Sequence, residues 1–446
     1  MKIEKRWIIS FLLISLVSIV ALFFPTDTTS SSNKDFLTED HIVGADVAWL
    51  LASSGLVLLM TPGLSFFYGG MVGRKNIIST MLQSFIALGV ISILWVVVGF
   101  SLSFGESIGI EIDGDHYGII GNPLTYPFFN NVGILPHQQM ANTIPFILFA
   151  LFQMKFAVIT PALITGSFAE RVRFISYLLF MLLFSLIIYT PLCHMIWHPE
   201  GLLNKYFGVK DFAGGTVVHM SAGFAALAGA LILGKRTKPY HEPSNIPFVM
   251  LGTGMLWFGW FGFNAGSALA ANATAAMAFG TTTVASGAAM LTWIFFDRIN
   301  GRKVSALGTC IGAVVGLVAI TPAAGFVTIP HAIFIGFISS IVSNLLCHWK
   351  ALKKIDDTLD VFACHGVGGI MGMILTAILA QGENASLING GWGLFGHHMI
   401  ALLLVSLFTF GGSLILYQLT NSIIPLRVAE ESEKIGLDIS QHDEKI

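Results

Sequence analysis

The stretch "DFAGGTVVHMSAG", residues 211–223, opens on an acid, runs through small and apolar residues, and sets a histidine, His219, eight residues further in. Its surroundings follow from composition. Of 446 residues, 54% are hydrophobic and 11% charged, against roughly 25% charged in a soluble domain. Apolar runs of about 20 residues recur along the chain, the length that crosses a bilayer as a helix. The period-two alternation of a membrane barrel is absent. A net charge of -2 leaves no basic footprint, which excludes nucleic acid as a partner. The four cysteines lie in separate apolar segments without CxxC spacing, so neither a disulfide framework nor a zinc site is indicated.

Apolar runs between breakers predict eleven spans after residue 44, near 46–71, 78–102, 144–166, 174–196, 212–233, 246–266, 271–296, 305–324, 330–348, 361–380 and 392–421. Basic residues cluster in alternate loops: Arg74 and Lys75; Arg171 and Arg173; Lys235, Arg236 and Lys238; Arg298, Arg302 and Lys303; Lys350, Lys353 and Lys354. The intervening connections carry only Lys205 and Lys210, and the long 105–142 loop has acids but no Lys or Arg. The first set is therefore cytoplasmic, giving an N-out, C-in arrangement. Ahead of these spans, the apolar stretch from Trp7 to Phe24 follows a basic start and precedes a Thr/Ser-rich linker. It suits a cleaved signal peptide, although it is long for one and lacks an Ala-x-Ala site; an uncleaved extra helix is the alternative.

A second copy of the opening pattern stands at 357–369, "DTLDVFACHGVGG". Asp357 again precedes a histidine, His365, by eight residues, and a glycine follows that histidine by four. The helix after Asp211 runs inward and the helix after Asp357 runs outward, so the units are inverted. At about 1.5 Å per residue, eight residues reach roughly 12 Å from either face, near the midplane of a core about 30 Å thick. Small residues on the histidine face permit close backbone approach. His219 and His365 are thus expected to be neighbours. Asp211 and Asp357 suit helix N-caps, whereas a symmetric pair of ionisable groups at bilayer depth is costly and reads as functional. The expected fold is all-α and polytopic. It comprises a signal or extra helix at 1–30, a five-helix repeat at 45–238, an inverted five-helix repeat at 239–385, an eleventh helix at 386–422 and a cytoplasmic tail at 423–446.

With these features in place, the sequence resembles the ammonium transporter family (Amt/Mep/Rh), and within it the bacterial Amt branch. The likeness covers nearly the whole chain after residue 45. "DVAWLLASSGLVLLMTPGLSFFYGG", "FQMKFAVITPALITGSFAERVRF", "GWFGFNAGSALAAN" and "GLVAITPAAGFV" each resemble a family block in the family's order, and "DFAGGTVVHMSAGFAALAGALILGKR" resembles its signature. The resemblance implies a homotrimer in the cell (inner) membrane with a pore in each subunit, no cofactor and no enzymatic activity. It implies ammonium recruitment at Trp197, Ser267 and Phe156, a ring gate of Phe156 and Phe263, and pore histidines at His219 and His365. Asp211 matches an acid acting through structure and electrostatics, and Asp357 is its counterpart in the second unit. The tail residues Gly436, Asp438 and His442 match a segment that couples subunits, and the cytoplasmic face is expected to dock a PII-type regulatory protein. Asp443 stands where the family usually has glycine, which leaves the tail's conformation open.

The chemistry asks for these residue types independently. Moving a bare small cation into low dielectric costs on the order of 20 kcal/mol. An aromatic face offers about 0.5–2 kcal/mol, and a hydroxyl adds one hydrogen bond. That is enough to select a cation at a wet mouth and far too little to carry it through a dry pore. Loss of a proton changes the problem, because neutral ammonia crosses apolar surface readily and alkali cations have no proton to lose. Two linked imidazoles offer ammonia a donor or an acceptor and can relay a proton.

Lys155 departs from this pattern, as the Lys or Arg well inside a predicted span. It is expected to snorkel to the outer interface or pair with an acid, with a place in the pore lining as the minority reading. An ammonium sensor acting through a PII-type partner is the competing class; with residues 422–446 alone beyond the last span, a fused signalling module is not expected. A metalloenzyme reading lacks convergent third and fourth ligands, and a bare proton channel has no use for Trp197, Ser267 and the ring gate.

Overall fold

The computed structural model describes residues 5–24, 35–238, 242–349, 354–382 and 386–446. Lys350 and Lys353 of the orientation argument, both ends of the 1–30 segment and the boundaries drawn at 239 and 385 lie outside them. After α1 (Lys5–Ala21), the long helices are α2 (Gly44–Met71), α3 (Arg74–Phe104), α4 (Phe146–Ser167), α5 (Phe174–Trp197), α6 (Gly215–Leu233), α7 (Ile246–Ala268) and α8 (Ala273–Ile299). Then follow α9 (Ala306–Ile320), α10 (Ile329–His348), α11 (Phe362–Leu379) and α12 (Trp392–Ile423). Ten of them are long and apolar enough to cross a membrane among the described residues. The expected span at 305–324 appears as the shorter α9, because the chain leaves the helix at Thr321–Pro322 and turns. Two short helices close the chain, α13 (Glu430–Ile435) and α14 (Leu437–His442).

These helices are apolar on most faces, and large side chains such as Leu51, Phe258, Phe295 and Leu407 stay exposed on the outside. That pattern suits lipid as solvent, where every backbone group must bond within its own helix. Association then rests on close packing. Along the α2–α7 seam, a Cβ on Gly252 would lie 2.3 Å from the Phe67 nitrogen, and one on Gly262 would lie 2.6 Å from the Ser53 carbonyl oxygen. Only the absence of side chains lets these backbones meet.

The 105–142 connection is more than the loop expected. Strands β1 (Ser107–Ile112) and β2 (Asp115–Gly121) pair antiparallel around Asp113–Gly114, both at positive φ (53° and 89°). An Asp-Gly pair suits such a two-residue turn. The hairpin caps the end of α5, with Ser107 Oγ 2.8 Å from His194 Nε2.

At the opposite end of α5, buried charges tie the loops together. The Arg236 guanidinium pairs with Asp356 and Glu170, each at 2.8 Å. The tail folds back onto this end: Asp438 Oδ1 accepts from the Ser79 amide at 2.8 Å, and Asn76 Oδ1 accepts from the Leu437 amide at 2.9 Å. Gly436 takes a φ of 113°, and a Cβ there would lie 2.6 Å from Lys75 Cβ. Asp443, in glycine's usual place, takes the left-handed φ of 57° that glycine would adopt; Asp tolerates that region better than most residues.

Candidate functional site

The two histidine-bearing segments start with a π-helical turn, Gly215–Met220 in α6 and Phe362–Gly366 in α11. Such turns re-aim side chains and recur at functional sites. The segments meet glycine on glycine: a Cβ on Gly223 would sit 2.2 Å from the Gly366 Cα. Because Gly366 follows His365 and Gly223 lies one turn past His219, this contact sets the imidazoles side by side. His365 Nδ1 lies 3.4 Å from His219 Nδ1. One nitrogen of that pair must donate and the other accept, so the two outer Nε2 atoms have opposite character, one bare and one protonated. His219 Nε2 is buried with no hydrogen-bond partner among the described residues.

Asp211 organises the first of these segments. Its carboxylate accepts from the amides of Gly214, Gly215 and Thr216 at 2.7–2.8 Å and from the Thr216 hydroxyl. Four donors on two oxygens tie the first turn of the segment to this carboxylate, although the N-cap position itself is held by Gly214 and not by Asp211. Asp357 is less well served. Oδ2 accepts from the Phe362 amide at 2.8 Å, whereas Oδ1 is buried without a partner among the described residues. Burial, reinforced by Asp360, pushes its carboxyl up to about 7.

Aromatic rings divide the space above the histidines. An outer cavity of 190 Å³ is lined by Gln153, Phe156, Trp197 and Ser267, among others. A second one, of 10 Å³, holds His219, His365, Trp260 and Phe263 among aliphatic side chains. Phe156 and Phe263 stand between them, ring centroids 4.3 Å apart and planes tilted by 37°. Trp197 meets Phe156 edge to face at 5.6 Å and 83°, and its indole N–H donates to the Asp211 carbonyl at 3.0 Å. Ser267 donates to the Phe263 carbonyl at 2.8 Å, which leaves its lone pairs for an incoming donor. The inner space is barely one water in size and its lining is almost wholly apolar, the imidazoles excepted.

The family model described as Ammonium Transporter Family matches residues 48–446. The chain belongs to the ammonium transporter family. It is 41% identical over 422 residues to an ammonium transporter of Aquifex aeolicus, covering 93% of this chain and 96% of that one. It is 42% identical over 405 residues to ammonium transporter Amt1 of Archaeoglobus fulgidus, covering 90% and 98%. Among solved structures, Mep2 of Saccharomyces cerevisiae aligns with a TM-score of 0.79 at 33% identity over 88% of this chain and 89% of that one. A protein described as Sensor Amt Protein aligns with a TM-score of 0.81 at 30% identity over 91% and 100%.

In this Amt-family chain, the structure thus brings Trp197, Ser267, Phe156, Phe263, His219 and His365 into one column. Lys155 is outside it: it does not line the outer cavity, and its ammonium lies 3.9 Å from Met154 Sδ, with no ion pair to an acid among the described residues. The minority reading of a cationic pore lining and the acid-pairing reading both fail to match this placement. Gly436, Asp438 and His442 sit far off in sequence, on the docked tail, where His442 Nε2 lies 3.2 Å from Ser79 Oγ. Sequence reasoning missed Gln153 as a wall residue. The signal was available, since position 153 lies three residues before Phe156 and so on the same helix face.

Proposed function

We propose that this chain transports ammonium, or ammonia derived from it, across the cell (inner) membrane. The carrying observation is the column itself: an aromatic, hydroxyl-bearing cavity, a ring gate, and a histidine pair in a nearly waterless apolar space. Ammonium is gathered by Trp197, Phe156 and Ser267 and gives up a proton to water in the outer cavity, which is roomy enough to hold it. The electron pair of the broken N–H bond stays on nitrogen, and ammonia passes Phe156 and Phe263. His219 and His365 then offer it one acceptor and one donor, and the released proton travels separately through their shared hydrogen bond. Asp211 holds the Trp197–His219 segment in register, and Asp357 does the same for His365.

The wider arrangement in this reading has eleven spans in a 5+5 inverted repeat followed by a last long helix, N-out and C-in, with residues 1–30 as signal or extra helix. It is a homotrimer with tail coupling through Gly436, Asp438 and His442 and a PII-type regulator at the cytoplasmic face. The test is current from purified protein in proteoliposomes on a solid-supported membrane after an ammonium jump, with potassium as control, beside the His219→Ala/His365→Ala double variant. An ammonium-specific current that the double variant abolishes or makes unselective supports the reading. Ammonium uptake unaltered by the double variant would remove the histidines from the mechanism.

Sensing is the second reading, favoured by the likeness to the Sensor Amt Protein over its whole length. Folded protein that binds ammonium, carries neither current nor ammonia flux, and changes its affinity for a PII-type partner would decide for it.

A further inference from the structure

We infer that Gln153 is an ammonium-coordinating residue of the outer cavity and a source of preference for ammonium over alkylated amines, which rests on the transport reading above. Its carboxamide makes no hydrogen bond to any described residue, and Oε1 is shut off from solvent with nothing to accept from. A polar oxygen kept that way in a membrane protein is costly unless a ligand completes it. The neighbouring groups of the same cavity are already arranged around a missing donor. Ser267 has turned its hydrogen to Phe263, and Trp197 has turned its N–H to Asp211. What Ser267 leaves free is an oxygen lone pair, and the rings of Trp197 and Phe156 line the same cavity.

Once the Gln153 amide turns its oxygen to the cavity, two oxygen acceptors and two aromatic rings make four acceptors, the number of hydrogens on a tetrahedral ammonium ion. Methylammonium has one N–H fewer and must leave one acceptor unused, and an alkali cation has no directional donor for any of them. With no hydrogen bond to break, a half-turn about the last side-chain bond presents either end of the Gln153 amide, and a cation in the cavity selects the oxygen.

Gln153→Met keeps the side chain's length and removes the acceptor. In the proteoliposome current assay, the half-saturating ammonium concentration is expected to rise about tenfold, the low end for one hydrogen bond to a charged group. That for methylammonium should rise less, so the discrimination between the two narrows. Gln153→Glu, which keeps an oxygen and adds charge, should lower both. An unchanged half-saturation in Gln153→Met, or an equal loss of maximal current with both amines, overturns the assignment. If Gln153→Met does not fold, the Glu variant decides alone: a raised half-saturating concentration refutes it. Folded wild-type protein that transports no ammonium defeats the transport reading itself, an outcome distinct from any of these.

Discussion

Gly223→Ala tests the contact on which the histidine pair depends. The added Cβ would lie 2.2 Å from both the Cα and the nitrogen of Gly366, and ordinary contact begins at 3.4 Å, so the segments must part by about 1.2 Å. The obstacle is backbone on both sides, so no rotamer change relieves it. Overpacking of this kind costs about 1–3 kcal/mol, and rigid neighbours put it at the upper end. The Nδ1–Nδ1 separation is already 3.4 Å, so even half of that displacement breaks the hydrogen bond. Gly366→Ala is the control. Its Cβ would meet the Phe362 ring at 2.8 Å and Gly223 Cα only at 3.4 Å, and a ring at the end of a side chain can give way. Thermal unfolding of the detergent-purified protein and ammonium current in proteoliposomes should therefore separate the two variants. Gly223→Ala is expected to melt lower and lose at least about tenfold in current, the scale set by 1.4 kcal/mol, while Gly366→Ala stays near wild type. Equal behaviour of the two in both assays would refute the argument that this glycine contact positions the imidazoles.

Arg236→Met leaves Asp356 and Glu170 buried without their guanidinium, and should cost about 3–5 kcal/mol, read as a large drop in melting temperature. For Asp357, the folded carboxyl at about 7 lies above its ordinary 3.8, so the unfolded state releases that proton first and stability falls as pH rises through this window. Asp357→Asn should flatten that part of the melting-temperature profile; a wild-type profile that rises across it would count against the burial argument. Lys155→Met should leave the half-saturating ammonium concentration unchanged, because Lys155 does not line the outer cavity; a clear increase in apparent affinity would return this lysine to the vestibule.

The periodic parts of the molecule were legible residue by residue. Apolar runs between glycine, proline and charge placed the long helices to within a few residues, as for α5 at Phe174–Trp197 against an expected 174–196. The eighth run was the exception. Hydropathy continues through "TPAAG", residues 321–325, but the backbone turns there, since Pro322 has no amide to donate. The hairpin carried a readable Asp-Gly turn but too little alternation beside it to separate it from loop. At the site, the Asp-to-His spacing in two copies pointed to both imidazoles, because depth along a helix is a matter of counting.

What the amino-acid order determined by itself was therefore composition, depth and periodicity: a polytopic helical chain, with a histidine at matching distance along each of two segments. Which faces meet is another kind of information. That Gly223 rests on Gly366, that Phe156 lies 4.3 Å from Phe263, that Gln153 faces the cavity and Lys155 does not, are consequences of packing between segments far apart in sequence. A helix presents a new face every 100°, and only the neighbours that close around it decide which face becomes a pore, which becomes a seam, and which is left to lipid.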